Sequence, residues 1–475
     1  MVSNVSLIEQ LLLFEEGHHM EIDDHPRDID AETTPATTLR PLSTGDLINL
    51  NLFWFANQFH WQALLAVVIP SMVAKFLDPA SKSINLALVV VWGTLVACIV
   101  NPLIGSASDY ATFRLGRRRP FLLMGTAINL LVLIIFAFSP SWFPTTLLLP
   151  VFALLFLLLQ FSNNLANSPW SAIIADNVPL HQRGLASGFN GLFNLLGTAT
   201  GSIVAGVLIN KNDPLPLYRN EVVQIFLLVA LVQMLFVLYT VFTVKEAPLP
   251  AERRVAFHVG EFVRKFFFKP NRYPDLSWVL LGRFLVMMGI WSIYYFLQYY
   301  FDDVLGGPGV KTIIFNTPFA GEFFNGALFQ PILLIVALPT SILAGWASDR
   351  WGRKRLVYLS GAMMILVCFV FIVFRNQYAI LLAGAFFGIG YGAYTSVDWA
   401  LVTDTLPPTD EAGKFMGIWS AMGILPQMVG ITLGAVILQL LRTLPNHFGY
   451  TLLSIFTAIY LILGTLVIRQ VKSAK

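Results

Sequence analysis

Two charged residues, Arg283 and Asp398, stand inside stretches built otherwise from apolar and small residues. A charge in such surroundings is costly unless it meets a partner or water, so each is a candidate for carrying or steering a proton. Amides and aromatic residues gather in comparable stretches. Asn51, Trp54, Asn57, Gln58, His60 and Trp61 lie close together, and positions 54, 57, 58 and 61 share one face at helical spacing. Planar amides suit the hydroxyls of a sugar, and an aromatic ring suits its C–H face. Asn57, Gln58 and Trp61 meet that demand; His60 lies beside them and could titrate near neutrality. Trp54 fits equally well as an interfacial anchor.

Further candidates follow along the chain. Gln160, Asn163, Asn164, Asn167 and Trp170 form one group, and Asn190 and Asn194 stand one helical turn apart. Trp291, Tyr294, Tyr295, Gln298, Tyr391, Tyr394 and Trp399 form another. Of these, Asn163, Asn167, Trp170, Asn190, Asn194, Tyr294, Gln298 and Trp399 join Asn57, Gln58, His60 and Trp61 as candidate substrate contacts. Others serve as hydrogen-bonding glue between helices.

The elements that must hold these residues are membrane helices. The chain has 475 residues, 56% of them apolar and only 12% charged, about half the charge of a soluble protein. One core cannot hide that much apolar surface, so lipid must solvate part of it. Twelve apolar spans follow residue 45, each near the length that crosses a bilayer: 47–74, 84–106, 119–139, 145–168, 184–209, 222–243, 277–301, 328–347, 355–375, 377–402, 414–440 and 450–468. An even number puts both termini on one side. Of the 30 lysines and arginines, only Lys75, Lys82, Lys211, Arg219, Lys311, Arg375 and Arg442 lie on the opposite side, with Arg283 inside a span. The positive-inside rule then predicts cytoplasmic termini; the expected location of this multi-pass protein is the plasma membrane.

The domain pattern reads as a disordered acidic tail (1–44), a six-helix bundle (45–243), a linker (244–276) and a second six-helix bundle (277–475). Val255, Phe262 and Phe266 among the linker's cations predict an amphipathic helix on the membrane surface. The loop 302–327 is expected to lie over the outer mouth. The tail's His18, His19 and His25 read as solvated. Cys98 and Cys368 are far apart in apolar runs, which predicts neither a disulfide nor a metal site. No phosphate-binding Gly-rich loop precedes a Gly-Lys-Ser/Thr, so ATP drive is not expected. No enzyme signature, cofactor or metal site is predicted, and the small net charge of +3 gives no reason to expect nucleic acid.

Two patterns recur along the chain. Gly105-Ser-Ala-Ser-Asp109, followed by Arg114-Leu-Gly116-Arg117-Arg118-Arg119, is echoed by Gly345-Trp-Ala-Ser-Asp349-Arg350-Trp-Gly352-Arg353-Lys354-Arg355. Ala172-Ile-Ile-Ala-Asp176-Asn-Val-Pro179 is echoed by Ala400-Leu-Val-Thr-Asp404-Thr-Leu-Pro407. Two echoes in one order predict two similar bundles, an architecture for alternating access. Asp109 and Asp349, at helix ends, can pair with loop cations and helix dipoles.

These loops resemble the signature of the major facilitator superfamily, over nearly the whole chain after residue 45. Within it, residues 114–121 and Ser168-Pro-Trp-Ser-Ala-Ile-Ile-Ala-Asp176 are similar to the sucrose transporters of the glycoside–pentoside–hexuronide:cation symporter group. So are Gln58-Phe-His-Trp61 and Phe301-Asp302-Asp303-Val-Leu-Gly306. Ser171 stands where that group has arginine, and Tyr110 follows Asp109 where the superfamily loop has arginine. The resemblance implies an all-α integral membrane protein of two pseudo-symmetric six-helix bundles, with spans 1, 4, 7 and 10 around a central cavity. Arg283 and Asp398 fall at similar depth there, so they are expected to pair, with Asp398 accepting the proton. The resemblance also implies that Gly105, Asp109, Arg117, Arg118, Asp176, Gly345, Asp349, Arg350, Gly352, Arg353 and Asp404 form gates that latch the outward-facing state. The expected function is proton-coupled symport of a sugar or glycoside by a monomer among lipids. The alternatives are a proton-antiporting exporter of hydrophobic compounds and a non-transporting sensor.

Overall fold

The computed structural model describes residues 41–472 except 110, 112, 114, 172, 180–181, 245, 247–269, 307–309, 312–318 and 407–411. The expected tail up to residue 40, and the expected surface helix of the linker through residue 269, lie outside the described residues. Among those described, twelve helices are long and apolar enough to cross a membrane.

They are α1 (Thr44–Phe76), α2 (Lys82–Asp109), α3 (Arg119–Trp142), α4 (Thr145–Ser171), α5 (Arg183–Leu208) and α6 (Leu215–Thr243) in the first half. The second half holds α7 (Pro274–Tyr294), α8 (Gly321–Trp351), α9 (Arg353–Val373), α10 (Gln377–Thr405), α11 (Ala412–Leu440) and α12 (Phe448–Val467). Helix α1 starts on a reciprocal cap. The Asp46 N–H donates to the Ser43 hydroxyl at 3.2 Å, and the Ser43 N–H to the Asp46 carboxylate at 3.1 Å. Thr44 is already helical, so the bundle begins at the end of the expected tail. The helix continues through Pro70 because the preceding turn, Leu64–Val68, is widened, with the Ile69 N–H bonded to the Leu64 carbonyl.

Two helices start earlier than the apolar pattern predicts. Helix α6 begins at Leu215 rather than 222, because the polar run Arg219–Glu221 is helical and the Glu221 carboxylate accepts the Asn210 N–H at 3.1 Å. Helix α8 begins at Gly321 rather than 328, with Glu322 and Asn325 buried in its first turns. Beyond α7, Leu297–Tyr300 and Phe301–Leu305 are helical as well. The stretch expected as a loop from 302 to 327 is therefore helical at both ends.

The principal packings repeat six helices later. Helix α1 packs on α5 and α6 as α7 packs on α11 and α12, and α4 packs on α2 and α3 as α10 packs on α8 and α9. Pairs α3–α6 and α9–α12 complete the match. The two halves meet through α2 against α11 and through α5 against the first turns of α8, which are equivalent pairs. Aromatic rings fill the first half, with Phe136 against both Phe152 and Phe226. Leu131, Phe242 and Ile342 belong to the exposed apolar outer surface that lipid would cover.

Candidate functional site

Helices α7 and α10 bring Arg283 and Asp398 together. The guanidinium donates from Nη1 to Asp398 Oδ2 and from Nε to the Trp419 carbonyl at 3.1 Å. It lies over the Trp419 ring, 3.7 Å from the centroid. Tyr394, one turn before Asp398, donates its hydroxyl to Oδ1 at 3.3 Å. The arginine side chain is 13% exposed and the aspartate 4%, so the pair is shielded but reachable from the arginine's side. Gly423 on α11 leaves the room, since a Cβ there would come within 2.8 Å of the guanidinium. The guanidinium compensates the carboxylate at a depth where an unpaired charge is costly.

Along α1, Trp54, Gln58, Trp61 and Gln62 keep partial exposure, and their spacing puts them on one face. Behind that face the amides bond one another. Trp61 Nε1 donates to Asn163 Oδ1 at 2.9 Å, and Asn163 Nδ2 to Asn57 Oδ1 at 2.8 Å. Asn57 and Asn163 are thereby buried as supports for the Trp61 ring. The Tyr294 hydroxyl donates to Gln62 Oε1 at 3.2 Å, linking the two halves. Gln58, Trp61, Gln62 and Tyr294 thus form one aromatic and amide surface. Trp54 Nε1, Gln62 Nε2, Asn167 Oδ1 and Trp291 Nε1 are buried polar atoms without a partner among the described residues.

Other expected contacts sit elsewhere. His60 is fully buried against α6, its Nδ1 3.2 Å from Gln233 Oε1. Trp170 is fully buried and donates to the Leu50 carbonyl at 3.2 Å, which makes it core. Asn194 Nδ2 donates to the carbonyl and the side-chain oxygen of Asn190 at 2.7 and 2.8 Å, and both residues are half-buried on α5. Trp399 is exposed and meets Trp419 edge-on at 5.0 Å. Gln298 is buried beyond α7 and donates to Glu322. Gln62, Trp419 and Gly423 were absent from the expected set; Gln62 continues the one-face spacing from Trp54, Gln58 and Trp61, a signal the sequence does carry.

The termini and the repeated basic loops mark one end of the bundle. There Arg353 donates to Asp349 at 2.7 Å, to Asp404 at 3.0 Å, and to the Ser348 hydroxyl, tying α8 and α9 to α10. Gly352 turns the chain at φ 92°, and Arg350 lies over the Trp346 ring at 4.1 Å. In the first half, the Arg118 guanidinium donates to the Pro169 carbonyl at the end of α4. Glu246 accepts the backbone N–H of Arg118 at 2.8 Å and of Arg119 at 3.2 Å, capping α3, a contact the sequence reading did not single out. Arg117 belongs to the same turn. Gly105 and Gly345 face Ser168 and Ser396, equivalent serines on α4 and α10. The side chains of Asp109 and Asp176 lie outside the described residues. Each tie just named stays within its own half. On α5, no heavy atom of the described residues lies within 4 Å of where a Cβ would stand on Gly184, Gly188 or Gly191, so its small-residue face is open to them at this end.

The opposite end is closed across the halves. Lys82 meets Asp303 at 2.6 Å and Lys211 meets Asp302. Asn325 Nδ2 donates to the Ala66 carbonyl at 2.8 Å, and the Tyr299 hydroxyl to the Pro70 carbonyl at 3.0 Å. Backbones touch where a Cβ on Gly326 would fall 2.4 Å from the Ser202 carbonyl oxygen. Burial pushes the Asp302 carboxyl above the usual aspartate range although Lys211 opposes the shift.

Comparison with known proteins agrees with this architecture. A family model described as MFS/sugar transport protein matches residues 81–468. Sucrose transport protein SUT1 of Oryza sativa subsp. japonica is 28% identical over 190 residues, covering 35% of this chain and 34% of that protein. Sucrose transport protein SUC4 of Arabidopsis thaliana is 33% identical over 164 residues, covering 30% and 31%. The chain thus spans about a third of the length of the sucrose transport proteins it matches. An uncharacterized MFS-type transporter of Methanocaldococcus jannaschii is 22% identical over 368 residues, covering 77% and 81%. Among solved structures, a D-xylose-proton symporter superposes with a TM-score of 0.63 at 16% identity, covering 88% of this chain and 97% of that one. Nucleoside transporter NupG superposes at 0.65 with 12% identity, covering 89% and 98%. At these identities the superpositions show the fold.

Proposed function

The chain belongs to the MFS/sugar transport protein family, and from that premise we propose that it moves a sugar or glycoside in symport with protons. It is a multi-pass membrane protein of the transporter class. On our reading it works as a monomer in the plasma membrane, by alternating access, with both termini in the cytoplasm. The basic loops then face inward, and the molecule rests closed to the outside and parted on the cytoplasmic side.

The observation that carries the proposal is the Arg283–Asp398 pair, held within the second half, in a fold whose α1 and α7 present Gln58, Trp61, Gln62 and Tyr294. In this reading the amides bond sugar hydroxyls and the Trp61 ring covers a C–H face. Asp398 stays ionised while Arg283 holds it. When rocking of the halves opens the pair to water from the arginine's side, Asp398 takes a proton and releases Arg283, whose guanidinium keeps its place over Trp419. Re-forming the pair returns the proton to the other side, so proton passage is tied to the conformational cycle.

Uptake of a labelled glycoside panel into proteoliposomes, with and without an inward proton gradient, tests this. One sugar should accumulate only with the gradient. Asp398→Asn should abolish that accumulation while sparing exchange at equal concentrations. Concentrative uptake that survives in the variant would remove Asp398 as the proton carrier. Gradient-driven expulsion of hydrophobic cations without sugar uptake would replace symport with export.

A further inference from the structure

We infer that Glu322 is a second proton-binding residue, set in the seam that closes the opposite end and held there as a neutral acid paired with the Gln298 amide. Glu322 lies in the first turn of α8 and is fully buried. Gln298 Nε2 donates to its Oε1 at 3.0 Å. The other oxygens of the two groups, Glu322 Oε2 and Gln298 Oε1, are both buried and both without a partner. Two acceptors in adjoining planar groups lack one donor between them. A single proton on the Glu322 carboxyl turns one of these acceptors into a donor, while the Gln298 amide N–H still donates to Oε1.

The surrounding charges leave the same place for a proton. From the first half come Lys82 at the start of α2 and Lys211 between α5 and α6; from the second come Asp302, Asp303 and Glu322. Each lysine contacts one aspartate, Lys82 with Asp303 and Lys211 with Asp302. Lys75 is turned to the carbonyls of Lys211 and Asp213 at 2.7 and 3.0 Å. Ser71 faces Glu322 and shares a 2.8 Å bond with the Tyr218 hydroxyl, and the Tyr299 hydroxyl bonds the Pro70 carbonyl. Among the described residues Glu322 is thus the carboxyl of this set with no cation in contact, the Lys211 ammonium acting on it only at longer range. An unpaired carboxylate is costly to bury, and protonation removes the charge that makes it so.

The position makes this proton conditional on the seam. The Glu322 carbonyl oxygen lies 2.8 Å from where a Cβ on Gly206 of α5 would stand. One turn on, Asn325 holds the Ala66 carbonyl of α1. Water reaches Glu322 only when α8 parts from these helices, and a carboxyl in water at neutral pH ionises. The closed end therefore binds one proton more than the open end. Raising the pH favours opening and lowering it favours closure, by up to about tenfold in the ratio per pH unit. The inference rests on alternating access, but not on the substrate or on Asp398 as the coupling residue.

The test uses the full chain in nanodiscs, with Cys98 and Cys368 replaced by serine and spin labels at Asn212→Cys and Leu444→Cys. These label sites are exposed on the connections α5–α6 and α11–α12, one from each half. Between pH 5 and pH 9 the long-distance population should grow. In Asp398→Asn, where the other carboxyl no longer titrates, the pH dependence should remain; adding Glu322→Gln, a neutral isostere, should keep the short distance throughout and remove it. The infrared band of a protonated carboxylic acid should be present in the closed protein and diminished in Glu322→Gln. A pH response that persists when Glu322→Gln is added to Asp398→Asn, or is missing from Asp398→Asn alone, overturns the inference, as does a seam opened by Glu322→Gln. The readout needs no substrate, so failure of sugar uptake would leave it standing.

Discussion

The two ends of the bundle use charge in different ways. At the basic end, Arg353 gathers Asp349 and Asp404 within the second half, and Arg118 reaches the Pro169 carbonyl within the first. At the opposite end, lysines of one half meet aspartates of the other. A tie inside one half survives when the halves separate, so it stiffens a body that moves as a unit. A tie between halves must break in each cycle, so it has to hold and still release. Side chains left 11 to 30% exposed suit that demand, because water at the rim limits what separation costs.

The sharpest way to break this contrast is to fill the seam. Gly326→Val places its Cβ against the Ser202 carbonyl, where no flexible side chain can yield. Overpacking of this kind costs about 3 kcal/mol, all of it in the closed state. The spin-label distance between Asn212→Cys and Leu444→Cys should move to its long form at every pH, with loss of gradient-driven uptake. A short distance would mean that α5 and α8 do not close this end.

Removing a cross-half cation should have a smaller effect. Lys211→Met keeps the aliphatic stem but leaves Asp302 facing the seam without its partner. For a partly exposed pair the loss is about 1 to 2 kcal/mol, or roughly a tenfold rise in the open population. Asp302→Asn in the same chain should restore much of the closure. If the double variant is no more closed than Lys211→Met alone, the two charges are not coupled across the seam.

Much of the fold is legible in the sequence because a bilayer leaves so few solutions. Long apolar runs must be helices, and the placement of cations orders their ends. The loops around Asp109 and Asp349, with the Asp176 and Asp404 echoes, carry the two-half symmetry that the packing repeats. Arg283 and Asp398 stand out for the same reason: a charge at that depth needs a partner. The seam is harder to read. Glu322 and Asn325 look like loop residues by composition, and only tertiary packing on α5 and α1 makes them buried helix. Conversely, Trp170 and His60 have the chemistry of a binding site, but the sequence does not say which side of a helix its neighbours cover.

The smallest effect is expected at the basic end, and it sharpens the contrast by what it leaves alone. Gly352 joins α8 to α9 at φ 92° and ψ 145°, a conformation that side chains with a Cβ rarely adopt, while its N–H bonds the Ser348 carbonyl at 3.1 Å. Gly352→Ala should strain this turn by about 1 to 2 kcal/mol, loosening the grip of Arg353 on Asp349 and Asp404. Because these partners all belong to the second half, the strain is common to the open and closed states and cancels between them. Thermal unfolding in detergent should therefore occur a few degrees lower, while the spin-label distance at the opposite end stays at its parent value. A shifted distance would mean that the basic loop acts between the halves in one of its states, and the division of labour between the two ends would fail at that point.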